Sequence, residues 1–173
     1  MDIRFVPPEL RRLDKLKCEA LALAFFEDDR PLVGTAGLVD WRMGGALSKL
    51  LLRGRISGAR GEVVLMPPRP RLPLHKLFLF GLGARSRFDD AAQREAIELV
   101  LSTLGRAKVR TSAIVLPGRA EHLAQPGPSM AAFLEVAAGH PDHDEVTLVD
   151  TPDAQREMEP VLEQERRRAR SRD

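Results

Sequence analysis

Leu32-Val-Gly-Thr-Ala-Gly-Leu-Val-Asp-Trp-Arg-Met-Gly-Gly-Ala-Leu-Ser-Lys-Leu-Leu51 is the stretch on which the reading of the fold turns. It reads as the end of an apolar strand, then a glycine-rich loop, then the first turn of a helix beginning near Gly45. The only Trp of the chain, Trp41, stands between an acid, Asp40, and a base, Arg42. Free backbone N–H groups at a helix start can hold an anion, and paired glycines let a ligand approach the backbone closely. The expected ligand group is therefore Asp40, Trp41, Gly44 and Gly45. Asp40 would accept from a ribose or an amine, and Trp41 would stack on a ring. The plainer alternative makes the glycines turn residues, Asp40 a cap or salt-bridge partner, and Trp41 a gap filler.

Outward from this stretch, strand and helix patterns alternate. Ala20-Leu-Ala-Leu-Ala-Phe-Phe26 and Lys76-Leu-Phe-Leu-Phe-Gly-Leu82 are continuous apolar runs of strand length. Such runs suit strands covered on both faces. Ile3–Val6, Gly61–Met66, Thr111–Leu116 and Glu145–Val149 read as further strands. Gly45–Arg53, a long helix from Asp89 or Asp90 to about Gly105, Pro128–Ala138, and a last helix from about Asp153 that frays into the arginine tail complete the pattern. The long helix spaces Ala92, Ala96, Ile97, Val100, Leu101 and Leu104 along one face. Alternation of this kind predicts an α/β domain with a mixed, largely parallel sheet flanked by helices. The expected division is a domain over 1–152 and a C-terminal helix with a basic tail over 153–173.

The chain has 173 residues, enough to bury a core as one domain. Its net charge of +2 hides an asymmetry. The last eight residues hold five Arg against one Asp, so the preceding 165 residues carry −2. Arg166, Arg167, Arg168, Arg170 and Arg172 are candidate polyanion contacts, able to meet phosphates without reading bases. With no basic excess on the body and no Tyr in the chain, nucleic acid is not an expected partner. No apolar run is long enough to span a bilayer, and no secretory leader is visible at Met1-Asp-Ile-Arg-Phe5. The single cysteine, Cys18, rules out an internal disulfide and fits a buried or half-buried apolar role in a reducing compartment, so a cytoplasmic location is expected.

In their order, Asp28-Asp-Arg-Pro-Leu32, Gly37-Leu-Val-Asp-Trp41, Gly44-Gly-Ala-Leu-Ser48, Gly61-Glu62, Lys76-Leu-Phe-Leu-Phe-Gly-Leu-Gly83 and Leu116-Pro-Gly118 resemble the N-terminal domain of leucyl aminopeptidases of the M17 type. The resemblance covers roughly residues 15–150. It implies a three-layer α/β fold related to macro domains, the modules that hold ADP-ribose in other proteins. In that family the chemistry belongs to a separate C-terminal domain with two metals, in a motif of the type Asn-Thr-Asp-Ala-Glu-Gly-Arg. No such segment occurs in this sequence. No catalytic residue, metal or cofactor is therefore expected. By analogy with macro domains, Gly81, Gly83 and Arg85 are expected to form the opposite wall of a ligand crevice.

Other constellations carry less. Gly81-Leu-Gly83 lacks the third glycine of a dinucleotide fingerprint, and no Gly-Lys-Ser/Thr phosphate loop is present. His140-Pro-Asp-His-Asp-Glu145 has metal-ligand residue types but reads as a solvated acidic turn. His75 and His122 are isolated, and Ser48 and Ser129 lack a nucleophile elbow. The expectation is a non-catalytic domain that binds a protein partner or self-associates. A binder of ADP-ribose or a related nucleotide is the alternative, and nucleic-acid binding through the tail is a weaker one.

Overall fold

Residues 1–171 are described by a computed structural model of the chain. The chain order is β1 (Asp2–Val6), α1 (Leu10–Leu13), β2 (Ala20–Phe25), α2 (Gly34–Arg42), α3 (Ala46–Leu52), β3 (Val63–Met66), β4 (Lys76–Gly81), α4 (Asp90–Arg106), β5 (Thr111–Ile114), α5 (Pro126–Ala137), β6 (Glu145–Val149) and α6 (Pro152–Arg170). The strands form one six-stranded sheet in the order β1-β6-β5-β2-β4-β3. All neighbours are parallel except β3, which runs antiparallel to β4 along one edge.

The apolar runs of β2 and β4 exist because both faces of the sheet are covered. Ala20, Ala22 and Ala24 face the core shared with α4, α5 and α6, whereas Leu21, Leu23 and Phe25 face the core shared with α1 to α3. Register pairs Ala22 with Phe78 and Ala24 with Phe80, so each small side chain lies beside a ring. Full burial of such aromatic and aliphatic side chains is worth about 1.5–3 kcal/mol each. The α4 reading is accurate: Asp89 caps it by accepting from Ala92 N at 2.8 Å, and Ile97, Val100, Leu101 and Leu104 are buried.

Two departures from the sequence reading matter. Gly34–Arg42 is a helix and not a loop, so Asp40 and Trp41 lie on α2. Its N-cap position, Val33, has no capping side chain, and Gly34 and Gly37 weaken any helical signal. Gly37 is needed for space, since a Cβ there would lie 2.7 Å from the Leu32 carbonyl oxygen. The last helix enters the arginine tail as expected but holds there without fraying as far as Arg170, with Ala154, Met158 and Leu162 buried against the α5 side of the core. Arg172 lies outside the described residues. Among the described residues no helix is long and apolar enough to cross a membrane.

Candidate functional site

The α2–α3 junction is held by Asp40 itself. Its Oδ1 accepts hydrogen bonds from Leu47 N at 2.8 Å and Ser48 N at 3.1 Å, and Ser48 Oγ donates to Oδ2. The turn between the helices needs left-handed backbone at Gly44 (φ +67°) and Gly45 (φ +76°), where a side chain would be strained. Gly45, the N-cap residue of α3, has no side chain to offer the free N–H groups that follow, so Asp40 serves them from the preceding helix. The place a bound anion would take is filled by the protein's own carboxylate. Trp41 is 70% exposed. Arg42 forms a two-pronged pair with Asp14, at 3.0 Å for both nitrogens.

At the other end of α2, about 13 Å away at 1.5 Å per residue over nine residues, lie the C-terminal ends of the parallel strands. Ligand crevices of α/β sheets lie beyond these ends. Gly81, Gly83 and Arg85 are here, on a different part of the molecule from Gly44 and Gly45. Gly81 admits the 58–60 segment: a Cβ there would lie 2.1 Å from the Ala59 carbonyl oxygen. Gly83 donates to the Gly58 carbonyl at 2.8 Å and accepts from Glu27 N at 3.0 Å, so its polar groups serve loop packing.

Arg85 reaches back to the loop after β2. Its Nε lies 3.0 Å from Asp29 Oδ1, which its Nη2 also contacts, and its backbone N donates to Asp28 Oδ2 at 2.6 Å. Asp29 Oδ2 accepts from Phe26 N at 2.8 Å, and the Asp29 side chain is 1% exposed. The hydrogen bond to Asp29 holds the Arg85 guanidinium above its usual range. Glu121, from the loop after β5, faces the same carboxylate. Burial, and then the neighbouring Asp29 charge, push its carboxyl up to about 7, with Arg85 opposing.

A crevice of about 180 Å³ opens beside this cluster, lined by Gly34, Thr35, Arg119, Ala120, His122 and Asp150 among others. The uncapped N-terminus of α2 forms one wall. Arg119 and Asp150 are both buried and paired through Nε to Oδ2 at 2.8 Å and Nη2 to Oδ1 at 3.3 Å. Nη1 of Arg119 donates to the Ala124 carbonyl. Ala120 closes over Gly34, where a Cβ would lie 2.7 Å from the Ala120 Cβ. The crevice is smaller than the roughly 300–1,000 Å³ of typical ligand pockets.

Reading along the chain missed Asp29, Gly34, Thr35, Arg119, Glu121 and Asp150. Arg119 and Asp150 stand 31 positions apart, and only the parallel pairing of β5 with β6 brings their loops together. The histidine motif also departs from a purely solvated turn. His143 is 4% exposed, and its Nε2 lies 2.8 Å from Ser112 Oγ. Burial holds its imidazole below the usual range. Among the described residues, no three His, Cys, Asp or Glu side chains gather as a metal would require. Cys18 is half-buried, and burial pushes its thiol up to about 11, away from reactivity. Of the tail cations, Arg166 meets the Ile3 carbonyl and Asp2, Arg167 meets Glu163, and Arg168 meets Glu165.

Comparison with known proteins agrees with this fold. Residues 22–137 match the sequence profile of the cytosol aminopeptidase family, N-terminal domain. A "Probable cytosol aminopeptidase" of Thermosynechococcus vestitus is 29% identical over 140 residues, covering 80% of this chain and 27% of the relative. The cytosol aminopeptidase of Pseudomonas aeruginosa is 37% identical over 93 residues, covering 54% of this chain and 19% of its own length. The chain thus spans about a fifth to a quarter of these curated relatives. Tomato leucine aminopeptidase superposes on 94% of the chain, and 35% of its own, with a TM-score of 0.62 at 15% identity. The Trypanosoma brucei macrodomain solved with ADP-ribose superposes on 92% of the chain, and 68% of its own, with a TM-score of 0.72 at 15% identity. These likenesses make the fold macro-domain-like.

Proposed function

Because the chain belongs to the cytosol aminopeptidase family, N-terminal domain, we propose that it is a non-catalytic domain that binds a protein partner or a second copy of itself. The supporting observation is the set of exposed apolar and cationic residues carried by α2, α3 and the segments flanking them. Trp41 is 70% exposed and Leu52 is 87% exposed. Across residues 30–60 there are six Lys or Arg and a single carboxylate, Asp40, which is buried. Arg30, Lys49, Arg53 and Arg55 have no ion-pair partner among the described residues. Exposed aromatic and long apolar side chains beside cations suit an interface whose partner supplies acids. At the strand C-termini, by contrast, Asp29, Arg85, Arg119 and Asp150 are spent on one another.

Light scattering of the full chain over rising concentration, alone and after cross-linking in cell extract, tests the reading. Self-association or a cross-linked partner lost in a Trp41→Ser, Leu52→Ser double variant would support it. A chain that stays monomeric and cross-links to nothing would overturn it.

A second reading, binding of ADP-ribose or a related nucleotide, rests on the uncapped α2 N-terminus that opens on the strand-end crevice. Its superposition on a macrodomain solved with ADP-ribose supports the same choice. At about 180 Å³ the crevice would have to widen to admit such a ligand. Calorimetry with ADP-ribose decides it: no heat at millimolar ligand removes the reading. Nucleic-acid binding through the tail draws less support, since Arg166, Arg167 and Arg168 already face acids.

A further inference from the structure

A cavity of about 430 Å³ lies at the opposite end of the strands from the crevice, where β5 and β6 begin. It sits between the C-terminal turn of α4 and the loop that leads from α5 into β6. Its volume is in the range of small-molecule sites. Leu101, Val109 and Pro141 are its apolar lining, the first two almost wholly buried and Pro141 exposed.

Most charged groups around this cavity are already engaged. Arg110 grips Asp144 through two nitrogens at 2.7 and 2.9 Å, His140 Nε2 lies 3.1 Å from Glu98, and His143 is bonded to Ser112. Two lining groups of opposite sign are left without an ion pair among the described residues, Lys108 and Asp142. Lys108 also has the left-handed backbone that follows a helix end, φ +55°, a position suited to glycine. Lys108 lines the cavity in this conformation and is exposed.

We propose that this cavity binds a small zwitterion with an apolar side chain, an α-amino acid or a dipeptide. Lys108 takes the carboxylate, Asp142 takes the ammonium group, and Leu101, Val109 and Pro141 receive the side chain. A ligand with one charge would leave the opposite protein group facing it without a partner, which sets the selectivity. The inference does not depend on the α2–α3 surface or on the strand-end crevice.

The test uses the full chain and L-phenylalanine, with binding read by calorimetry and by the ring signals of His140 and His143 in NMR. Saturable millimolar binding is expected. Lys108→Gly and Asp142→Asn should each weaken it about tenfold, the usual scale for one charged hydrogen bond. Lys108→Gly suits the backbone, and its thermal melt verifies that the fold is intact. Phenylalanine amide, which lacks the carboxylate, should bind wild type and Lys108→Gly alike. N-acetylphenylalanine, which lacks the ammonium group, should bind wild type and Asp142→Asn alike. No saturation, or unchanged L-phenylalanine affinity in a folded Lys108→Gly variant, would overturn the proposal.

Discussion

Replacing Asp40 by alanine takes away the acceptor for Leu47 N, Ser48 N and Ser48 Oγ in one step. Loss of a capping side chain costs about 0.5–2 kcal/mol. Here the loss is at the upper end or beyond, for a stated reason. Leu47 is fully buried, so its N–H keeps no partner once the carboxylate is gone, whereas half-buried Ser48 can turn to water. An unsatisfied buried donor costs about 1–3 kcal/mol. The two figures describe the same loss, and the upper end of the larger gives about 3 kcal/mol for Asp40→Ala. Asp40→Asn keeps one acceptor oxygen for the backbone and should cost about 1 kcal/mol. Urea unfolding followed by circular dichroism reads both. With a slope of about 2–3 kcal/mol/M, Asp40→Ala lowers the midpoint by roughly 1–1.5 M without changing the slope. The reasoning fails if Asp40→Ala stays within about 0.5 kcal/mol of wild type. It fails equally if that variant is as stable as wild type but loses affinity for ADP-ribose, since Asp40 would then be a ligand group and not a cap.

Lys108→Gly should stabilise the fold by about 1 kcal/mol, because glycine accepts φ +55° without the clash an L side chain meets. Differential scanning calorimetry would show a melting point about 2–4 °C higher. Glu121 and His143 predict pH effects of opposite sign. The folded Glu121 carboxyl titrates near 7 against an ordinary 4.5, so its contribution is complete below about 4.5 and is lost as pH rises through 7. Glu121→Gln should therefore be more stable than wild type at pH 8, by about 1–3 kcal/mol, and indistinguishable near pH 4.5. The folded His143 imidazole lies below its ordinary 6.5, so its contribution is present above 6.5 and is lost as pH falls toward the folded value. His143→Gln should flatten the stability profile on the acidic side of 6.5, measured by urea titration from pH 7.5 to 5. A profile as steep as that of wild type would count against the buried neutral imidazole.

Much of the fold was legible because burial leaves a local imprint. Ala20–Phe26 and Lys76–Leu82 have no polar alternation because both faces of β2 and β4 are covered. The α4 helix is amphipathic at helical spacing and carries its own cap at Asp89. The α2 helix left no such imprint: glycine at 34 and 37 answers contacts with Ala120 and with the Leu32 carbonyl, both made through space. The site shows the same division at the level of single residues. Asp40, Trp41, Gly44, Gly45, Gly81, Gly83 and Arg85 were visible as unusual residue types, but not as two groups at different ends of α2. Arg119 was part of no motif, and its partner comes only from the loop after β6.

By itself, then, the sequence determined the alternation of strands and helices, the doubly covered central strands and the family resemblance, all of which depend on spacing between near neighbours. Only the tertiary structure decided which partner each polar group has. Asp40 goes to the α3 N-terminus, Arg85 to Asp29 and Arg119 to Asp150, while Lys108 and Asp142 are left beside an open cavity. The physical reason is that hydrophobic burial is written as a period along the chain, whereas a hydrogen bond is decided by a few tenths of an ångström between atoms the chain brings together only when folded.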